Sequence, residues 1–285
     1  MGACLRNSWN HEIPSPLVVV SNPRLRPFTE SLLRRVADLM GLDSEVVGDI
    51  VETTFQLAET LTDELEFEQA LKRKYVLNCD SSRLRTAIRA RSKTIFDEVV
   101  GQFAGRTLLD VGCGNGLVSE MSQSYFDGIQ MLDVVNYLSP DCALPFLEYE
   151  DGKPLPIDQA FDTVFLLTVL HHSSNPLQLL KESWKATAKR LIIIESVFGV
   201  HTQPSAGVYH LASFQQSDQL AFAVLVDWLY NRVLHDNIPV PYNFTTPDRW
   251  LEVFSECGMR VSCVRNLGQD IEIAPELHFM FVLER

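Results

Sequence analysis

The stretch Thr107-Leu-Leu-Asp-Val-Gly-Cys-Gly-Asn-Gly-Leu-Val-Ser-Glu-Met121 decides how the rest of the chain is read. An apolar run ends in Asp110, glycines follow at 112, 114 and 116, and a helical pattern begins at Leu117. Strand, tight turn and helix in that order bring backbone N–H groups to a ligand at the start of the helix. Glycine allows both the sharp turn and a close ligand approach. A dinucleotide fingerprint needs G-x-G-x-x-G, and Leu117 stands where its third glycine would be. A phosphate-binding P-loop needs G-x-x-x-x-G-K-[ST], and there is no lysine here.

Downstream, short apolar runs recur at Thr107–Val111, Ile129–Val134, Phe146–Tyr149, Thr163–Thr168, Leu191–Ser196, Met259–Arg265 and His278–Leu283. Helical segments separate most of them, which predicts an α/β fold with a parallel sheet covered on both faces. The last two runs lie close together around Asn266–Gly268 and read as an antiparallel pair. Upstream, from Phe28 to about Val100, the period is helical. Thr29, Ser44 and Thr62 are the expected caps of three helices, and a fourth runs over 82–101. Residues 1–27, with prolines at 14, 16, 23 and 27, read as an arm that packs on another element.

The 285 residues are 46% hydrophobic and 21% charged, an ordinary globular balance. The net charge of −13 argues against a broad nucleic-acid or anionic-membrane footprint. Residues 1–106 hold 14 Lys/Arg against 15 Asp/Glu, so nearly all the negative charge lies beyond them. No apolar run approaches the ~20 residues a membrane span needs. Six scattered cysteines without a C-x-x-C pair fit a reducing, cytoplasmic setting and give no metal site.

With its downstream sequence, the glycine stretch resembles motif I of the class I S-adenosylmethionine-dependent methyltransferases. The resemblance implies a Rossmann-like, doubly wound, seven-stranded, mostly parallel sheet with an antiparallel last strand. It also implies S-adenosylmethionine as cofactor. Asp110 would organise the loop and the cofactor's amino-acid end, with Gly112, Cys113, Gly114 and Gly116 making room for it. Asp133, followed by Val134, fits the acid that ends strand two and holds the ribose hydroxyls, a task suited to a bidentate acceptor. Asp151, beside Gly152 and ahead of Leu155-Pro156, fits the acceptor for the adenine amino group. Leu167 ends strand four, and Asn175-Pro176 and Leu191–Glu195 fit the next helix and strand five. The expected division is an arm and helical region over 1–101 and a methyltransferase domain over 102–285, with a lid insertion at about 197–250.

Methyl transfer needs an in-line approach in a dry pocket, and a base where the nucleophile begins protonated. His171 and His172, at the carboxyl end of strand four, are candidate bases. Glu195 could orient a histidine or bind substrate. The plainer reading of the pair is a cofactor contact. On the insertion helix, expected at about 213–235, Asp227, Asn231 and His235 fall at i, i+4 and i+8. That stripe faces either solvent or the acceptor. Tyr242 comes after it in a loop placed as a lid would be. Strand four is followed by Thr168-Val-Leu-His-His172 rather than Asn-Pro-Pro-aromatic, so DNA adenine or protein glutamine is not the expected acceptor.

The expected function is therefore methyl transfer to O or N of a small molecule. The helical region would close the site or join two copies in a homodimer. Two rivals remain. One is an RNA methyltransferase using the basic residues Lys72, Arg73, Lys74, Arg83, Arg85, Arg89, Arg91 and Lys93. Those residues read more simply as a solvated helical face. The other is a non-catalytic cofactor-binding scaffold.

Overall fold

The structure is a computed structural model and describes residues 12–76, 81–139, 141–202, 209–234, 238 and 240–285. Seven strands run β1 Thr107–Val111, β2 Gly128–Asp133, β3 Phe146–Glu148, β4 Phe161–Leu167, β5 Thr187–Val197, β6 Arg260–Gln269 and β7 Leu277–Glu284. They form one sheet in the order β3-β2-β1-β4-β5-β7-β6. The pairs β1–β2, β1–β4, β2–β3 and β4–β5 are parallel. From β1 the chain winds outward to β3, then returns to the other side of β1 with β4. The carboxyl ends of β1 and β4 therefore flank the switch point where open α/β sheets bind ligands. Strands covered on both faces read as unbroken apolar runs. Leu108, Phe165, Ile192 and Ile194 are accordingly fully buried in the core.

Nine α-helices are described: α1 Pro16–Val20, α2 Arg26–Leu39, α3 Ser44–Thr60, α4 Glu64–Val76, α5 Ser81–Val99, α6 Leu117–Ser122, α7 Pro176–Lys185, α8 Gln216–Trp228 and α9 Pro247–Glu256. α7 and α9 start as the sequence suggests. Asn175 and Thr246 accept from Gln178 N and Arg249 N, and a proline fills the first turn of each.

Contacts divide the chain into two compact units. One comprises Met1–Ile88, Val197–Phe244 and Gly268–Leu277; the other comprises Arg89–Ser196, Thr245–Leu267 and His278–Arg285. This differs from a boundary at 101 with the insertion kept beside the sheet. α5 runs across residue 88, and α8 packs on α1 while the turn after it packs on α4, within the helical unit. α8 is buried all round from Asp218 to Trp228, as the central helix of such a unit must be.

Several local expectations are corrected. Thr29 is buried inside α2, whose start is set by Arg26-Pro27. Asp43, not Ser44, holds the cap position of α3. Asp63, not Thr62, accepts from Glu66 N at 2.8 Å at the start of α4. The final turn is not at Asn266–Gly268: β6 continues to Gln269, and Asp270 N donates to Glu276 O at 2.9 Å across the reversal. The arm contributes α1, with Leu17, Val19 and Val20 buried, while residues 1–11 lie outside the described residues. Among the described residues no helix is long and apolar enough to cross a membrane.

Candidate active site

The loop after β1 is pinned from both sides. Gly112 and Cys113 donate backbone N–H to Leu132 O at 2.8 and 3.0 Å. At Gly112, φ is +72° and a Cβ would lie 2.2 Å from Val169 Cγ2, so a side chain there would displace the loop itself. Gly114, at φ +54°, has nothing within 4 Å of where a Cβ would point, and so faces open space. Gly116, also left-handed, caps α6.

Two carboxylates hold this loop. Asp133 Oδ2 accepts from Gly114 N and Oδ1 from Val134 N, both at 2.7 Å. Asp110 Oδ2 accepts from Ser119 Oγ at 2.7 Å. Burial pushes the Asp110 carboxyl up to about 7; the Ser119 hydroxyl opposes this and the charge of Asp133 adds to it. Burial likewise raises Asp133, against the N–H groups of Gly114 and Val134. Burial, then the charges of Asp110 and Asp133, drives the Cys113 thiol far up, which removes a nucleophilic thiolate.

Across the switch point, Asp151 accepts from Ser173 Oγ and Ser174 N, both at 2.6 Å. Its burial works to raise it, but the bonds from Ser173 and Ser174 outweigh that and hold it below the usual carboxylate range. Gly152 is next in the chain, at φ +76°. Leu167 is half-buried against the sheet core. Thr168 then takes φ +58°, a costly conformation for a β-branched residue, while its N–H donates to Ile194 O at 2.6 Å.

Glu195, fully buried on β5, secures the turn after Thr168. Its Oε1 accepts from Val169 N at 2.9 Å and Leu170 N at 2.7 Å, and its Oε2 lies 2.7 Å from His171 Nδ1. That contact fixes the orientation of the imidazole ring. The His172 ring packs against that of His171 with centroids 4.2 Å apart. Ser119, Ser173, Ser174 and Thr168 do not stand out in the sequence. Three are small hydroxyl residues without a distinctive spacing, and the fourth is set apart only by its backbone angle.

Residues 109–192 match the sequence model of a family described as a methyltransferase domain. Over those residues the chain is similar to methyltransferase domains. The cofactor that the sequence resemblance implies is S-adenosylmethionine. The cradle of the methyltransferase domain fits that group: Gly114 faces open space beside a buried acceptor, Asp133, and Asp110 accepts a single side-chain bond. Solved structures similar in fold include an S-adenosylmethionine-dependent methyltransferase from Mesorhizobium loti, at 14% identity over 68% of this chain and 98% of that one, TM-score 0.48. Another is the magnesium protoporphyrin IX methyltransferase of Synechocystis PCC 6803 with bound S-adenosylhomocysteine, at 13% identity over 70% of this chain and 84% of that one, TM-score 0.44. No curated protein matches the chain in sequence.

The helical unit of the chain holds Asp227, Asn231 and Tyr242. Asp227 is 2% exposed, so it does not face solvent, and its Oδ1 accepts from Asn231 Nδ2 at 2.6 Å. His235 lies outside the described residues. Tyr242, at φ +55°, packs on the apolar cluster of Phe198, Leu220, Val224 and Phe244. Its hydroxyl is raised by burial and then by the charges of Asp227, Glu64 and Glu68, with Arg232 opposing. Glu68 is itself satisfied: Arg232 reaches it with Nε at 3.2 Å and Nη2 at 3.1 Å, Trp228 Nε1 donates at 3.3 Å, and Lys72 lies at 3.1 Å.

Proposed function

We propose that this enzyme transfers the methyl group of S-adenosylmethionine to an O or N atom of a small-molecule acceptor, with His171 taking the acceptor's proton. The observation that supports it is the 2.7 Å pairing of His171 Nδ1 with the buried Glu195, which orients the imidazole. As the acceptor's O–H or N–H bond breaks, the proton passes to Nε2. The freed pair forms the bond to the methyl carbon. The carbon–sulfur bond breaks with its electrons staying on sulfur. Glu195 is the positioning residue, stabilising the imidazolium while it fixes the ring. A binding scaffold would have no need of an oriented base.

Asp227, Asn231 and Tyr242 are proposed as acceptor-recognition residues, suited to a group that donates hydrogen bonds or carries positive charge. Against the RNA reading, four of the eight basic residues pair with acidic neighbours. Lys72 pairs with Glu68, Lys74 with Asp49, Arg83 with Asp38 and Lys93 with Asp97, at 3.1, 2.6, 2.6 and 2.5 Å. Such cations release few counterions to a phosphate backbone.

The test is turnover across a panel of phenols, amines and carboxylic acids, read as S-adenosylhomocysteine formed. His171→Ala should lower kcat by ~10²-fold or more and remove the acid limb of the pH profile, with cofactor affinity kept. His172→Ala should cost much less. Full turnover in His171→Ala would end the base assignment.

A further inference from the structure

Two buried carboxylates meet at the glycine loop, and among the described residues no cationic side chain answers either. Asp110 is 2% exposed and takes its bond from the Ser119 hydroxyl; Asp133 is 8% exposed and takes its bonds from backbone N–H groups. The groups around Asp110 offer no positive charge. On the flanking strands its register partners are Met131 and Phe165, both apolar. α6 presents Ser119. The Cys113 thiol is kept neutral, chiefly by burial. The charge facing Asp110 is therefore the like charge of Asp133. A carboxyl in such surroundings keeps its proton into the neutral range, in accord with its upward shift to about 7. The cofactor brings what is missing, because its amino-acid end carries an ammonium, and the family resemblance assigns that end to Asp110.

We propose that Asp110 holds a proton in the empty cofactor site and releases it when the cofactor's ammonium arrives, so that binding expels a proton to solvent. The Asp110 O–H bond breaks, the proton goes to buffer, and the carboxylate left behind pairs with the ammonium. Proton and cofactor compete for one group. Cofactor affinity therefore rises with pH, by up to tenfold per unit below neutrality, and levels off above it. The inference rests on the proposed function only through its cofactor and is indifferent to the acceptor.

The experiment is calorimetric titration of the full chain with S-adenosylhomocysteine in buffers of different ionisation enthalpy, which counts protons released. At pH 7 the release should be about half a proton per site, approaching one at pH 6 and falling toward zero by about pH 9. Adenosine, which lacks the ammonium, should release none. Asp110→Asn should abolish the release. Should that variant fail to fold or bind, Ser119→Ala decides. It removes the one hydroxyl that favours the ionised form, so the pH of half-release should move upward. Binding heats that do not depend on buffer at pH 6 and 7, or an unmoved half-release pH in Ser119→Ala, would overturn the proposal and leave the methyltransferase reading intact. Failure of S-adenosylhomocysteine to bind at all would overturn both.

Discussion

The sheet unit and the helical unit both bury carboxylates, and Glu68 of the helical unit meets partners unlike those at the glycine loop. Buried Asp110, Asp133 and Glu195, and half-buried Asp151, take hydrogen bonds from serine hydroxyls, backbone N–H groups and one imidazole, all at the carboxyl ends of strands or the loops beside them. Glu68 is instead enclosed by Arg232, Lys72 and the Trp228 indole. A carboxylate met by cations from its own fold acts as a brace between helices. One held only by neutral donors is left for a ligand to pair with. The partner, more than the burial, separates the two roles.

The largest effect that would break this contrast lies in the helical unit. Glu68→Ala strips the acceptor from a partly buried Arg232 and from the Trp228 indole, and should cost ~3–5 kcal/mol in denaturant titration. Affinity for S-adenosylhomocysteine should stay within about twofold, well under the 1.4 kcal/mol that a factor of ten represents. A large loss of cofactor affinity with the fold intact would show that Glu68 is no mere brace.

The sheet unit should carry a pH signature of its own. The folded state raises the pKa of Asp110, so between about 4 and 7 it binds more protons than the unfolded chain does. Stability of the empty protein therefore declines as pH rises through that window. The contribution of this one group is at most ~4 kcal/mol. Denaturant midpoints at pH 5 and pH 8, in wild type and in Asp110→Asn, isolate it: the variant should lose less stability over the interval. Parallel declines in the two proteins would move the titrating group elsewhere.

The smallest effect sharpens the contrast. Asp133→Ala should weaken cofactor binding by ten- to a hundredfold, corresponding to ~1–3 kcal/mol for a charged acceptor. An unchanged dissociation constant with intact folding would move the ribose contact away from Asp133.

The sequence makes the sheet unit far more legible than its neighbour, for physical reasons. Buried parallel strands are near-continuous apolar runs, so β1 emerges with both ends correct, and β2 and β4 within two residues. Glycines with left-handed backbones leave an unmistakable spacing at 112, 114 and 116. The end of β6 is misread because Asn266 and Gly268 look like a turn, yet extended pairing carries through them. In the helical unit, α2 and α3 show their buried faces as periodicity. α8 does not, because it is covered on every side. The spacing of Asp227 and Asn231 therefore leaves solvent and acceptor both open, whereas the structure shows a bond between the two inside the unit. Glu195 can be named from sequence as a histidine's partner, but its grip on the backbone of Val169 and Leu170 depends on a loop geometry that no spacing encodes.

The end of α8 has a consequence for how this family of chains can vary in length. Over Leu229–Val233 the helix widens into a π turn, with Leu234 N donating to Leu229 O at 3.1 Å. Such a turn is an α-helix carrying one additional residue. Deleting any one residue between 229 and 233 would let the backbone close into ordinary α-helical bonds. The casualty would be the widened arc from which Arg232 reaches Glu68. A relative one residue shorter at this point should therefore keep the helix but lack an arginine–glutamate partnership there. The two changes should travel together, so that a gap in length predicts a change in identity some 160 positions away.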